Sequence, residues 1–259
     1  MELIDTHCHL TFDQLTGDIE AVLERSRAAG VTSWITIGTD IEQNQKAIEL
    51  TKKFDNLYAT VGIHPHDAKN VTAETIKELK NLAQNEKIVA IGETGLDFHY
   101  NFSKPAEQRR LFVQHLEIAA ELNLPVVIHC REAFDETIAI LEARDYRIRK
   151  VVFHCFSGTA QQARVVLDHG FHISFTGVVT FKNAKEIQQA ASVVPLDRLM
   201  LETDCPYMSP EPMRKQKINE PALMVHTAEY LARLKQTEPA EFAKAVKSTT
   251  RVFFNLPQR

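Results

Sequence analysis

Two hydrophobic patterns alternate along the chain. Short runs of branched apolar residues are each followed by a turn and by a longer stretch in which apolar residues return every three or four positions. The first pattern is typical of buried strands and the second of amphipathic helices. The predicted strands are Leu3–Asp5, Ser33–Ile37, Tyr58–Gly62, Ile88–Gly92, Val126–His129, Val151–His154, His172–Phe175 and Leu199–Glu202. The predicted helices are Asp18–Ala29, Ile41–Phe54, Ala73–Asn85, Pro105–Leu122, Ala133–Ala143, Ala160–His169, Asn183–Val193, Pro221–Leu234 and Pro239–Phe254.

Strands that alternate with helices predict an α/β fold with a parallel sheet. The strands are almost continuously apolar, as expected when both of their faces are covered. A doubly wound open sheet is the alternative, but such a sheet gathers its site at one switch point, whereas here polar residues end almost every strand. We therefore expect a TIM-type (β/α)8 barrel that forms a single domain over residues 1–259, with its site at the C-terminal face.

Composition and charge narrow the class of protein. The 259 residues include 44% hydrophobic and 25% charged residues, which is ordinary for a folded globular chain. The net charge of −4 gives no general attraction to nucleic acid, so a site for a polyanion would have to be local. The chain starts without a signal-peptide pattern and lacks an apolar run of about 18 residues, so a cytoplasmic location without membrane association is expected. Trp34 and the phenylalanines are expected in the core.

Histidines and carboxylates follow the apolar strands. The candidate metal ligands are His7, His9, Glu93, His129, His154 and Asp204. His7 and His9 are two positions apart, so in an extended chain both imidazoles lie on one face. Any one of the six could be an ordinary hydrogen-bonded side chain, but together they end five strands whose carboxyl ends would meet at one rim of a barrel. Nitrogen and oxygen ligands of this kind bind zinc, manganese, magnesium or iron.

Six ligands are more than one tetrahedral ion needs, particularly when a catalytic ion keeps a position open for water. Two divalent ions about 3.5–4 Å apart, bridged by a carboxylate, fit the set better. We expect Glu93 to be the bridge. His7, His9 and Asp204 would then hold one ion, and His129 and His154 the other.

Seven segments of the chain together resemble a known family. They are DTHCHL at 5–10, GIHPH at 62–66, AIGETGLDF at 90–98, QRRLFVQHLEIAAELNLPVVIHCRE at 108–132, FHCFSG at 153–158, SFTGVVTFKNA at 174–184 and LETDCPYMSP at 201–210. Over essentially its whole length the chain resembles the TatD-type metal-dependent hydrolases and deoxyribonucleases of the amidohydrolase superfamily. The resemblance implies a TIM-like barrel, a divalent-metal site and hydrolysis of phosphodiester bonds in DNA.

One loop departs from the family pattern. Members often carry an Arg-Gly-x-x-Asn-x-Pro segment after the last strand, whereas this chain reads MRKQKINEPA, with no glycine and one extra residue before Asn219. Arg214 and Lys215 are therefore alternative matches to the family's arginine. The departure bears on how this loop would meet a substrate and not on the metal chemistry.

The expected mechanism is attack by a metal-activated water, with Asp204 and Glu93 as the catalytic carboxylates and Asp204 as the proton acceptor. The predicted substrate contacts are His64, Arg131, Arg214 and Lys215. Each has a structural alternative: His64 could brace its loop, Arg131 could pair with a carboxylate, and the basic loop could simply be solvated.

These residues predict a divalent-metal-dependent hydrolase, and the resemblance directs it toward a deoxyribonuclease of the 3′-5′ exonuclease type. The alternative is an amide or ester hydrolase such as a D-aminoacyl-tRNA deacylase, and a non-catalytic binding barrel is a third class. The expected cofactors are two ions of zinc, magnesium or manganese per chain. DNA or another nucleic acid is the expected partner, with no obligate protein partner, and a monomer is the default.

Overall fold

The computed structural model describes residues 1–100, 102–143, 148 and 150–257. The strands are β1 (Leu3–Cys8), β2 (Val31–Thr36), β3 (Leu57–Val61), β4 (Ile88–Asp97), β5 (Val126–Arg131), β6 (Val151–Phe153), β7 (His172–Phe175) and β8 (Leu199–Leu201). The helices are α1 (Asp13–Thr16), α2 (Ile19–Ala28), α3 (Ile41–Thr51), α4 (Ala73–Leu82), α5 (Pro105–Leu122), α6 (Phe134–Glu142), α7 (Ala160–Asp168), α8 (Lys185–Val193), α9 (Met224–Leu234) and α10 (Pro239–Phe254). Short 3₁₀ helices occupy Pro65–Asn70, Gly177–Thr180 and Pro221–Leu223.

The strands form one eight-stranded sheet whose order follows the chain. The neighbouring strands whose register is resolved all pair in parallel. A helix after each strand and a strand order equal to the chain order are the topology of the (β/α)8 class, so the predicted fold class is confirmed. The short helix α1 and the 3₁₀ helices escaped prediction because segments of three to six residues carry no helical periodicity.

The chain divides into two compact units, which we call the terminal unit (residues 1–36 and 155–259) and the central unit (residues 37–154). The single domain predicted over 1–259 stays a prediction. No helix of the described ranges is long and apolar enough to cross a membrane. Even the longest helix, α5 with 18 residues, carries charged side chains throughout its length.

In the terminal unit, backbone hydrogen bonds hold the chain after β8 against the end of β1. The amide of Asp204 donates to the carbonyl of His7 at 2.9 Å, and the amide of His9 donates to the carbonyl of Cys205 at 2.8 Å. Helix α10 packs against both strands, and Trp34 of β2 is fully buried, with its indole N–H donating to Ser26. The residues after β8 are thereby brought beside His7 of β1 and His9, which follows this strand.

In the central unit, β4 is longer than predicted. It continues from the predicted end at Gly92 to Asp97, and all ten of its residues are buried. Glycine is required at Gly95, where φ is +137° and a Cβ atom would lie 2.0 Å from the carbonyl oxygen of His129 on β5. The close approach of the two strands sets Glu93 and Asp97 on either side of His129.

Candidate metal centre

The first group of ligand-type side chains lies in the terminal unit and consists of His7, His9 and Asp204, which we call the Asp204 cluster. Nε2 of His9 lies 3.2 Å from Oδ1 of Asp204, and Nε2 of His7 lies 3.6 Å from the same oxygen. All three residues are buried. One ligand-type atom from each lies within 4.8 Å of the others, so the group is able to hold a metal ion.

Asp5 and Thr203 form a hydrogen-bonded pair next to this cluster. The Asp5 carboxylate accepts hydrogen bonds from the Thr203 hydroxyl at 2.6 Å and from the Thr203 amide at 3.0 Å. Burial nevertheless raises the pKa of Asp5 to about 7, because desolvation disfavours its charged form more than these bonds favour it. The pair fixes the chain just before Asp204, whose backbone has a φ of 54°.

The residues of the Asp204 cluster fit a cation. Nδ1 of His9 is buried, and within the described chain it has no hydrogen-bond partner. An orphaned buried nitrogen is rare unless something outside the protein satisfies it. The Phe12 ring stacks on the His9 ring, with centroids 4.5 Å apart and planes 18° apart, and holds the imidazole in place.

The second group lies in the central unit and consists of His64, Glu93, His129 and His154, which we call the Glu93 cluster. Three imidazole nitrogens converge on Oε1 of Glu93. Nε2 of His154 lies at 2.8 Å, Nδ1 of His129 at 2.9 Å and Nε2 of His64 at 3.5 Å. Glu93 is 3% exposed, so the convergence takes place out of contact with bulk solvent.

The spacing in the Glu93 cluster also suits a cation. Nε2 of His154 and Nδ1 of His129 face each other at 3.4 Å. Two nitrogens that bind one tetrahedral zinc ion at about 2.0–2.1 Å lie roughly 3.4 Å apart. A neutral imidazole offers only one donor, so two ring nitrogens and a carboxylate at these separations are more typical of ligands around an ion than of a closed hydrogen-bond network.

Asp97 sits behind this cluster and orients it. Its Oδ2 lies 3.0 Å from Nε2 of His129 and 2.9 Å from Nε2 of His66, and its Oδ1 accepts from the amides of His99 and Tyr100. Burial acts against the charged carboxylate, but these hydrogen bonds outweigh it and hold the pKa of Asp97 well below its usual range. An ionised Asp97 accepts only, so Nε2 of His129 donates to it.

The charges of the Glu93 cluster follow from the same contacts. Burial opposes ionisation of Glu93, yet the neighbouring histidines, His154 foremost, keep its pKa well below the usual value. Burial also opposes protonation of His129, but the bonds to Asp97 and Glu93 prevail and raise its pKa. Desolvation dominates at His64 and lowers its pKa to about 4, so this imidazole is neutral at pH 7.

Sequence analysis missed the orienting residues Asp97, Asp5 and Thr203. A signal for Asp97 existed, because Glu93 and Asp97 are four positions apart and alternate positions of a strand face the same way. A strand predicted to end at Gly92 does not include either residue, whereas β4 continues to Asp97.

The predicted substrate contacts lie in three different settings. His64 belongs to the Glu93 cluster, and its Nδ1 also accepts from the amide of His66 at 3.2 Å, within its own loop. Arg131 is exposed, and its guanidinium lies over the Tyr100 ring at 4.7 Å. Arg214 and Lys215 are exposed, and the Arg214 guanidinium lies 4.1 Å from the Phe181 ring centre. All four roles stay predictions.

The atypical loop at 213–219 is anchored by its last residue. Asn219 is fully buried, and its side-chain amide donates to the carbonyl of Tyr207 at 2.6 Å and to that of Thr203 at 3.1 Å. The loop therefore attaches to the chain segment that carries Asp204, although it lacks the family's glycine.

Buried groups of histidines and carboxylates at the ends of the strands of a (β/α)8 fold define the class of metal-dependent hydrolases. The sequence profile of the family described as TatD related DNase matches residues 4–255. The chain belongs to this family.

Known proteins of this family are similar to the chain over nearly its full length. The chain is 38% identical to the uncharacterized metal-dependent hydrolase YabD of Bacillus subtilis, covering 98% of this chain and 99% of that protein. It is also 38% identical to the 3'-5' ssDNA/RNA exonuclease TatD of Cronobacter sakazakii, covering 92% of each. The crystal structure of YjjV, a TatD homologue from Escherichia coli K12, superposes with a TM-score of 0.92 at 31% identity, covering 98% of both chains. The predicted family and enzyme class are confirmed.

Proposed function

We propose that this protein is a divalent-metal-dependent deoxyribonuclease that removes nucleotides from the 3′ end of a single strand. The observation that carries the proposal is the convergence of three imidazole nitrogens on Oε1 of Glu93, in a chain of the TatD related DNase family. The Cronobacter sakazakii relative, named as an exonuclease for single-stranded DNA and RNA, supports the choice of substrate.

We assign one ion to each cluster. His7, His9 and Asp204 would hold one, and His129 and His154 would hold the other, while the bridging role expected for Glu93 stays a prediction. The ions would supply Lewis acidity toward the phosphoryl oxygens and lower the pKa of water. Their identity as zinc, magnesium or manganese is left to measurement.

The protein's own groups would then position the substrate and move one proton. Both imidazoles of the Asp204 cluster face Oδ1 of Asp204, so we assign acceptance of the proton from water to Oδ2 of this carboxylate. Phosphate groups would be held by the cations of Arg131, Arg214 and Lys215. His64 stays a predicted contact, because its Nε2–H faces Oε1 of Glu93. Monomeric state and cytoplasmic location remain predictions.

The proposal is tested with metal-loaded protein and single-stranded DNA labelled at the 5′ end. We expect a ladder of products shortened from the 3′ end, loss of activity on chelation, and recovery when metal is returned. His129→Ala should reduce the rate of DNA cleavage by at least about a hundredfold, because it removes one proposed metal ligand together with that ligand's hydrogen bond to Asp97. Metal content measured by mass spectrometry should fall in the same variant.

His169→Ala is the matched control, because His169 is an exposed histidine near the end of α7. It should leave both activity and metal content unchanged. An amide panel and a D-aminoacyl-tRNA complete the assay. Turnover of those substrates alone, without cleavage of DNA, would overturn the nuclease and favour a deacylase.

A further inference from the structure

We propose that Tyr100 and Phe102 form a stacking platform for unpaired nucleobases beside the Glu93 cluster. The inference rests on the proposed function and adds to it the residues that would recognise the bases. Both side chains lie on the loop after β4. Tyr100 is 47% exposed and Phe102 56% exposed, although the sequence pattern predicted that phenylalanines lie in the core.

The two rings lie parallel, with one offset over the other. Their planes are 1° apart and their centroids are separated by 5.5 Å, which is an offset parallel stack. The His66 imidazole meets both rings edge to face, at 5.5 Å from Tyr100 and 4.8 Å from Phe102. Single exposed aromatic side chains are common on protein surfaces, but two aligned rings braced by a third are not a chance exposure of apolar area.

Hydrogen bonds anchor the backbone on either side of the two rings. Asp97 accepts from the amide of Tyr100, and the side-chain amide of Gln108 on α5 donates to the carbonyls of Asp97 and Ser103, at the two ends of the loop. The Ser103 hydroxyl donates to the carbonyl of His66 at 2.6 Å. Anchoring of the flanking backbone reduces the conformational entropy that Tyr100 and Phe102 would lose on binding a ligand.

The platform is tied to the ligand cluster through one carboxylate. Asp97 uses Oδ1 for the backbone of Tyr100 and Oδ2 for the His129 ring. A base stacked on the platform therefore has a defined position relative to His129. The centroid of the His66 ring lies 4.8 Å from that of Phe102 and 6.2 Å from that of His129, so the phosphate linked to a stacked base would lie toward the Glu93 cluster.

Arg131 supplies the charge that a nucleic acid strand requires. Its guanidinium lies over the Tyr100 ring at 4.7 Å, in a cation–π contact, and the residue is exposed at the end of β5. An arginine held on an aromatic face keeps its N–H groups available for phosphate oxygens. The surface thus offers a face for a base beside a cation for the backbone.

This chemistry selects single strands. Every nucleobase has a π face, so stacking on aromatic side chains tolerates any sequence, but bases inside a duplex already stack on each other and are out of reach. We therefore expect the platform to bind the unpaired bases of a single strand and to contribute little to the binding of intact duplex.

The test compares two phosphorothioate strands of equal length, one with normal bases and an aminopurine reporter, the other fully abasic. Both keep the backbone charge, and only the first can stack. Dissociation constants are measured with the metal-loaded full-length protein. Wild type should bind the normal strand roughly tenfold more tightly than the abasic strand, and stacking should quench the aminopurine fluorescence.

Phe102→Ala and Phe102→Leu should weaken binding of the normal strand about tenfold and leave binding of the abasic strand unchanged. Phe102→Trp should retain the preference, because tryptophan also stacks. Val252→Ala is the matched control, since Val252 is a 69% exposed apolar residue on α10. Circular dichroism verifies that each variant is folded.

Equal weakening of both strands by Phe102→Ala, no weakening of either, or a change in oligomeric state in place of strand binding would overturn the platform. Cleavage of DNA is scored separately on ordinary phosphodiester strands. If the protein cleaves DNA but binds the normal and the abasic strand equally well, the platform alone is refuted. A protein that shows the Phe102-dependent preference without cleaving DNA supports the platform and refutes the proposed function.

Discussion

Nε2 of His129 lies 3.0 Å from Oδ2 of Asp97, while Nδ1 of the same ring lies 2.9 Å from Oε1 of Glu93. The imidazole is thus clamped between two carboxylates. Because Asp97 is ionised and accepts only, Nε2 carries a proton directed at Asp97, and Nδ1 is the nitrogen that would face an ion in the Glu93 cluster. A carboxylate behind a metal-binding histidine acts in this way in many metalloproteins.

Asp97→Asn tests this orienting role. The amide can keep the shape of the residue but loses the charge, so we expect metal affinity to fall by about 10–100-fold with the fold intact. Affinity is measured by competition with a chelator. Glu136→Gln is the control, because Glu136 pairs with Arg109 on the surface of the same unit. An unchanged affinity in Asp97→Asn would refute the role.

His115 gives a prediction on pH. The ring is fully buried; its Nδ1 bonds to the carbonyl of Leu111 at 2.8 Å, and its Nε2 accepts from the amide of Ile63 at 3.0 Å. Burial lowers its pKa to about 4, whereas an unfolded histidine titrates near 6.5. The unfolded state therefore binds more protons between these values, and stability is lost as the pH falls from about 6.5 to 4.

The titration of His115 changes the free energy of unfolding by at most about 1.4 kcal/mol per pH unit. His115→Gln, which retains a donor and an acceptor, should reduce the pH dependence of the free energy of unfolding in that window. Urea unfolding of both proteins over the pH range measures it. Parallel curves for wild type and variant would contradict the assignment.

Two glycines with positive φ should differ sharply when replaced by alanine. At Gly95 a Cβ atom would meet the carbonyl oxygen of His129 at 2.0 Å, whereas at Gly170 nothing lies within 4 Å. We expect Gly95→Ala to cost about 3 kcal/mol or more from strain and overpacking, and Gly170→Ala about 1 kcal/mol from backbone strain alone. Chemical denaturation gives both values, and equal losses would argue against the close approach of β4 and β5.

Asn219→Ala tests the anchor of the atypical loop. It removes the donor for the carbonyls of Thr203 and Tyr207, and a loss of about 1–3 kcal/mol in the free energy of unfolding is expected. Metal binding should weaken as well, because Thr203 directly precedes Asp204. Gln216→Ala, an exposed change in the same loop, should leave both quantities near wild type.

The sequence predicted the fold class because short apolar runs alternate with helical periodicity. It also grouped His7, His9 and Asp204, whose ligand-type atoms lie within 4.8 Å of one another, while their binding of a metal stays a prediction. The prediction was wrong at a glycine, a residue that occurs both at turns and where two strands pack closely. The predicted strand ends at Gly92, yet this residue is a glycine because a Cβ atom there would lie 2.7 Å from the carbonyl oxygen of Val127. Close packing between strands leaves no periodic signal, so the extension of β4 to Asp97 was missed.

Exposed aromatic residues were missed for a related reason. Hydrophobicity alone assigns Phe102 to the interior, since burial is the usual fate of phenylalanine. The neighbouring Ser103 is instead anchored by Gln108 and by its own hydrogen bond to the carbonyl of His66, which is 37 positions away in the sequence. Such tertiary constraints cannot be inferred from one local window.

The hydrogen bonds of the Gln108 side chain affect which substitutions this protein can tolerate. Its amide holds the loop by main-chain atoms only, at Asp97 and at Ser103. Substitutions at Tyr100 and Phe102 therefore leave the anchoring bonds intact, so these two side chains can be exchanged while Asp97 and Ser103 keep their hydrogen bonds. Evolution or design can therefore change ligand preference at these two positions while the residues of the Asp204 and Glu93 clusters stay the same.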